Sequence, residues 1–229
     1  MINRRLLWCM TFVLGIGLPL RAGQIASQAD LQTVLGGPGT LETFEGFSLA
    51  SGTAVGLDCA TLNSAATCNG QGPGLVAPGF SITFSDAGGQ WDGAGYFGAP
   101  SQEILDAGQP LTISFTSPVS AFGIDLRAFS GFPATATVTI LGLDDVTVVG
   151  TISGVSLDSG GDPVFVGWEN DPGIGEVQFS QTGESWSPIV TNLEFGTAGG
   201  AVPEPMTFAL SGFGLAIVAA LRRKRLSRR

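Results

Sequence analysis

The side chains of this chain that could do chemistry are almost all carboxylates. There are 19 Asp and Glu, no histidine, and a single lysine, Lys224, close to the C-terminus. Without histidine, neither a Ser-His-Asp nor a Cys-His arrangement can be assembled. Without lysine upstream of the tail, Schiff-base and Ser-Lys chemistry are excluded there, and no Gly-Lys-Ser/Thr phosphate loop exists. Carboxylate chemistry survives, for example a glycosidase pair. With 19 acids, however, some close pair is inevitable, so proximity alone means little. The expectation is a protein that is not an enzyme.

Two other kinds of site can be sought. Asp158-Ser159-Gly160-Gly161-Asp162, with Glu169 at position 12, is oxygen-rich, but an EF-hand needs an oxygen donor at position 3, glycine at 6 and flanking helices. Gly160 and Pro163 stand there instead, which leaves an irregular calcium site using Asp158, Asp162 or the Asp144-Asp145 pair, against a plain solvated turn. Trp91, Tyr96, Trp168 and Trp186 are candidates for stacking on sugar rings. The glycine-rich Trp91-Asp92-Gly93-Ala94-Gly95-Tyr96 is the best patch, against the alternative of a core tryptophan.

Charge is sharply divided. Arg4, Arg5 and Arg21 lie near the N-terminus and six cations lie in the last eight residues, which leaves Arg127 as the one base between them. All 19 acids fall between Asp30 and Glu204, so this region carries a net charge of −18. Nucleic acid and anionic lipid are poor partners for such a surface, because binding them depends on Lys and Arg. Divalent cations or solubility itself account for it better.

Both ends read as targeting segments. Arg4-Arg5, the apolar stretch Leu6 to Leu20 and Arg21-Ala22-Gly23 have the layout of a signal peptide over residues 1–22, cut after Ala22 or a few residues on, near Ala26. Cys9 lies inside its apolar part and leaves with it. Cys59 and Cys68 remain, and an even count in an exported domain favours a disulfide. Closing that loop of about ten residues is worth roughly 2.7 kcal/mol in the chain-entropy model. At the other end, residues 206–221 carry no charge and as a helix would span ~24 Å, near the thickness of a hydrocarbon core. Arg222, Arg223, Lys224 and Arg225 open the basic tail 222–229, which suits a cytoplasmic membrane stop.

Val202-Pro203-Glu204-Pro205 directly precedes that apolar segment. Motif, apolar span and Arg-rich end together resemble the PEP-CTERM sorting signal of bacterial exosortase substrates. The resemblance covers residues 202–229. It implies recognition of Pro203-Glu204-Pro205 by a membrane-embedded, exosortase-type cysteine transpeptidase, removal of the tail, and delivery to the cell surface or extracellular matrix. The two prolines hold the segment extended, as a processing enzyme requires.

Between the ends, glycine is abundant, with 35 residues, and period-2 alternation recurs. Leu111, Ile113 and Phe115 alternate with polar residues, as do Phe122, Ile124 and Leu126, then Thr135 to Ile140, and Val177 and Phe179. Further strands are expected at Leu41–Phe47, Phe80–Phe84, Val146–Ile152, Val164–Trp168 and Ile189–Phe195. About nine short strands and no helix before the tail predict an all-β fold, a single antiparallel, jelly-roll-like β-sandwich over residues 23–196 with a linker at 197–201.

The segment order also resembles ectodomains that accompany this sorting signal: Thr43-Phe44-Glu45-Gly46, then Pro118 to Gly123, then Phe165-Val166-Gly167, then Val190-Thr191-Asn192-Leu193-Glu194-Phe195-Gly196. Thr191 stands where the family pattern has Asp, which argues against a calcium ion shared by first and last strands. The resemblance implies a structural or adhesive role in an exopolysaccharide layer. Alternatives are a carbohydrate-binding module, a permanently anchored type I membrane protein, and a carboxylate glycosidase.

Overall fold

In a computed structural model, residues 21–85, 88–128, 133–158, 162–183 and 185–199 are described. The signal segment up to residue 20, the sorting motif Val202–Pro205, the span 206–221 and the basic tail 222–229 lie outside the described residues. Among the described residues no helix is long and apolar enough to cross a membrane.

The elements run β1 (Ala22–Ile25), α1 (Gln28–Leu35), β2 (Thr40–Glu42), β3 (Ala54–Gly56), β4 (Thr61–Asn63), β5 (Phe80–Thr83), β6 (Gly89–Asp92), β7 (Glu103–Asp106), β8 (Leu111–Arg127), β9 (Ala134–Leu141), β10 (Val148–Leu157), β11 (Val164–Thr182) and β12 (Ile189–Gly196). Every strand pairing among the described residues is antiparallel, so the all-β expectation holds. The expectation of no helix does not: α1 is a two-turn helix. Ser27 caps its N-terminus and Gly36 closes its C-terminus at φ 74°.

The sheet folds over on itself because two long strands serve both halves. The first half of β8 pairs with β5 and with the second half of β11, which also pairs with β9, and β9 with β10. The second half of β8 pairs with β12 and with the first half of β11, which carries β1 at its edge. From β12 the sheet continues through β7 and β6 to β3. Both long strands change register between the halves, next to the exposed residues Thr116–Pro118 and Asp171–Pro172. Proline lacks the amide for a ladder, so Pro118 and Pro172 suit the bends.

One apolar core fills the space between the halves. Ile82, Ile113, Val138, Ile140 and Phe179 from the first half face Ile104, Ile124, Leu126, Val166 and Val190 from the second. Phe115 bridges them, with ring centroids 6.4 Å from Phe122 and 5.2 Å from Phe195. This is a sandwich-like arrangement.

The outer face of the second half is covered as well. Helix α1 sets Leu31 and Leu35 against Ile25 and Ala121 there. Gly123 leaves the room this needs, since a Cβ on it would lie 2.6 Å from the Phe165 ring and 2.8 Å from Leu31. Glu194, on the same face, ties the helix down by accepting from the Gln28 side chain and from Gly39 N at 2.5 Å.

Register also fixes where the domain's ends emerge. Gly23 pairs Glu169, Glu169 pairs Ala121, and Ala121 pairs Gly196. The start of β1 and the end of β12 therefore lie on one row, three strand spacings or about 14 Å apart. The two ends lie at the same end of the same half-sheet.

Candidate functional site

The polar residues that stand out are buried, and they lie on the outer face of the second half. Asp92 on β6 pairs Glu103 on β7, and Trp91 pairs Ile104, which in turn leads to Val190 on β12. Trp91, Ile104 and Val190 point into the core, so alternation sends Asp92, Glu103 and Thr191 to the opposite face. The connection Gly93–Gln102 joins β6 to β7 here and reaches the row at the Phe97 carbonyl. Asp92 is 0% exposed, Glu103 1% and Thr191 1%.

Arg127, the one base of the central region, reaches into this row from β8. Its Nη1 pairs with Glu103 Oε1 at 2.5 Å and its Nη2 donates to Phe97 O at 3.3 Å. Gln90 donates to Asp92 Oδ1 at 2.7 Å. Among the described residues the second oxygens, Asp92 Oδ2 and Glu103 Oε2, have no hydrogen-bond partner, and neither has Thr191 Oγ1. Burial pushes the Asp92 carboxyl up to about 7, with the neighbouring Glu103 charge adding to the shift and the Gln90 bond opposing it. Burial raises Glu103 too, while Arg127 pulls it back by hydrogen bond and by charge.

The connection above the row is held by its own polar contacts. Gln102 receives the Trp91 indole N–H at 2.9 Å, donates its side chain to Phe47 O at 3.1 Å, and donates its backbone N–H to Glu45 at 2.9 Å. Gly93 N donates to Thr53 O and Gly95 N to Ala99 O. Tyr96 is its exposed tip, 42% accessible and edge-on to Phe97 at 4.6 Å.

Against these positions the sequence candidates sort clearly. Trp91 is not a stacking residue: it is 0% exposed, packs against Phe44 and Phe47, and spends its N–H on Phe44 O and Gln102. The alternation that marks β6 as a strand also turns this ring inward. Tyr96 is exposed, with Phe97 edge-on to it, and shares no face with the buried Trp91. Trp168 lies half-buried over Gly150, and Trp186 is half-buried shortly before β12. Cys59 and Cys68 form the expected disulfide, with Cα atoms 5.3 Å apart.

The calcium candidates lie outside the strands. Asp144 is turned onto its own loop, accepting from the Thr147 hydroxyl at 2.6 Å, Thr147 N at 2.8 Å and Val146 N at 3.2 Å. Those bonds, the Thr147 side chain first, hold its carboxyl down to about 2. Asp158 and Asp162 are exposed and flank residues 159–161, which lie outside the described residues. Among the described residues no group of three or more His, Cys, Asp or Glu is placed to hold a metal ion.

The motif residues have structural work that sequence alone does not disclose. In Thr43-Phe44-Glu45-Gly46, Phe44 is fully buried at φ 56°, and a Cβ on Gly46 would lie 2.0 Å from Leu75 O. The acid before the motif, Glu42, is the buried one, and it accepts from Phe44 N and Ala77 N. A shallow groove of about 460 Å³ beside it, lined by Leu41, Glu45, Ser64 and Leu75, touches neither Tyr96 nor the Asp92 row. Comparison with protein-family models and with curated proteins finds no match for this chain.

Proposed function

We propose that this is an exported cell-surface or extracellular-matrix protein, sorted through residues 202–229 by an exosortase-type transpeptidase. Its jelly-roll-like β-sandwich then has a structural or adhesive role in an exopolysaccharide layer. The observation that carries the reading is the tripartite ending: Val202-Pro203-Glu204-Pro205, an uncharged 206–221, and six cations in the last eight residues. Such an ending stops in a bilayer with its basic end on the cytoplasmic side.

Two features of the folded region support it. The first and last strands leave the same end of one half-sheet, so a signal segment and an apolar tail can sit in one membrane while the domain folds outside. The disulfide between Cys59 and Cys68 also fits an oxidising, extracytoplasmic compartment. A carbohydrate-binding function built on Trp91 loses its leading residue to the core, and the Asp92–Glu103 pair is too deeply covered to flank a glycosidic bond.

The test is a chain truncated after Gly200, expressed beside the full-length protein in a host with an exosortase-type system. The full-length protein is expected at the surface or in the matrix, and the truncated one free in the periplasm or medium. If both reach the same place in the same form, the ending has no sorting role.

A further inference from the structure

The row beneath the Gly93–Gln102 connection has a charge imbalance that hydrogen bonds do not resolve. Two carboxyl groups, 0% and 1% exposed, face one guanidinium. A buried carboxylate without a counter-charge costs more than holding a proton, so one of the two stays neutral. Arg127 donates to Glu103, which makes Glu103 the ionised partner. Asp92 has only the Gln90 amide, on Oδ1.

The two unpartnered carboxyl oxygens are Asp92 Oδ2 and Glu103 Oε2, one on each member of a directly paired cross-strand position. Side chains at such positions have Cβ atoms about 5 Å apart and meet readily. A single proton on the first oxygen, donated to the second, satisfies both. We propose that Asp92 and Glu103 share one proton in this way, and that the bond latches the Gly93–Gln102 connection to the sheet. On loss of the proton to solvent, two like charges stand at the two feet of the connection, and it loosens.

Among the described residues little else stands to neutralise the pair. From β6 it is faced by Gln90, from β8 by Arg127, and from β12 by Thr191, an uncharged hydroxyl. Asp125, next along β8, is engaged by Asn192 at 2.9 Å. Glu45 approaches from the segment before β3 and is held by Gln102 N. The connection itself contributes the Phe97 carbonyl, which accepts from Arg127. Burial, opposed by the Gln90 bond and helped by the Glu103 charge, places the Asp92 titration near neutrality, about 7. This inference stands apart from how the protein is sorted.

Infrared difference titration of the full-length protein in detergent, from about pH 5 to about pH 9, reads the proton directly. Expected is loss of one carboxylic-acid C=O band with a midpoint near 7, absent in Asp92→Asn and shifted to lower pH in Glu103→Gln. Hydrogen exchange at Tyr96 to Ala99 should rise several-fold across the same midpoint in the wild type. The proposal is overturned if no carboxyl in the wild type stays protonated above about pH 5.5, or if the band survives in Asp92→Asn. Unchanged loop exchange across the midpoint overturns the latch. A midpoint driven down by millimolar calcium chloride would give the pair to a cation instead of a proton.

Discussion

Arg127→Met asks how much the single buried cation contributes. The substitution keeps the apolar stem, so packing changes little and the effect isolates the charge. Arg127 is 5% exposed and its partner Glu103 1%, so the pair is a buried ion pair. Removing one partner of such a pair costs about 3–5 kcal/mol, because the other is left as an uncompensated buried charge. Against a total stability of about 5–15 kcal/mol this is a large fraction. At a urea slope near 2 kcal/mol/M it moves the unfolding midpoint down by ~2 M. The cost must also depend on pH. With Arg127 gone, Glu103 is raised further, so folding favours its protonated form. The folded state then binds the extra proton between the unfolded and folded pKa values, and stability is lost as pH rises through that window. Equilibrium urea unfolding followed by tryptophan fluorescence should therefore give a larger loss at about pH 8 than at about pH 5. The double variant Arg127→Met with Glu103→Leu should recover most of it, since an apolar pair of similar volume leaves no orphan charge. The reasoning is refuted if Arg127→Met stays within ~1 kcal/mol of wild type at pH 8, or if the double variant is no more stable than the single one.

Asp92 supplies an independent pH dependence. Its folded carboxyl titrates at about 7 against an ordinary value of 3.8, so stability should fall as pH rises through that window and then level off, by up to ~4 kcal/mol. Asp92→Asn should flatten that slope in thermal melts taken across pH. Cys59→Ser opens the loop closed onto buried Cys68 and should cost roughly 2–3 kcal/mol, measured as a lower Tm that reductant reproduces in the wild type. Trp91→Ala should destabilise by about 3–5 kcal/mol through the cavity it leaves, whereas Tyr96→Ala should change stability by less than ~0.5 kcal/mol. A glycan array on both variants, with folding monitored in parallel, tells lost stacking from lost structure.

The strands with clean alternation were legible in the sequence: Thr135 to Ile140 falls within β9, and Ile189 to Phe195 within β12. Two pairs of expected strands prove to be single long ones. The burial alternation breaks at Thr116–Pro118 and at Asp171–Pro172, where β8 and β11 bend between the halves, and a local pattern reads a bend as an end. Strand β7 was hidden for a different reason. Glu103 and Asp106 look like surface residues, yet all four positions are buried, Glu103 by its pairing with Arg127 and Asp106 by accepting from Ser85 and Gly108. The helix had its caps written at Ser27 and Gly36, but its apolar stripe is only Leu31 and Leu35, too short to register as a period. For Trp91 the sequence offered both a stacking face and a place in the core, and the register decides for the core. The ring belongs to the last buried turn of pairing before the Gly93–Gln102 connection begins, where Trp91 meets Val55 on one side and Ile104 on the other. The carboxyl pair itself was not legible, since only the β6–β7 register brings position 92 to position 103.

The mass of the mature protein's C-terminus, taken on material recovered from the cell surface or matrix, bears most directly on the sorting claim. Processing at the Val202–Pro205 signal predicts a terminus at or next to that motif, with residues 206–229 gone. Surface material that still carries Arg229 would contradict it, and would make the ending a permanent anchor.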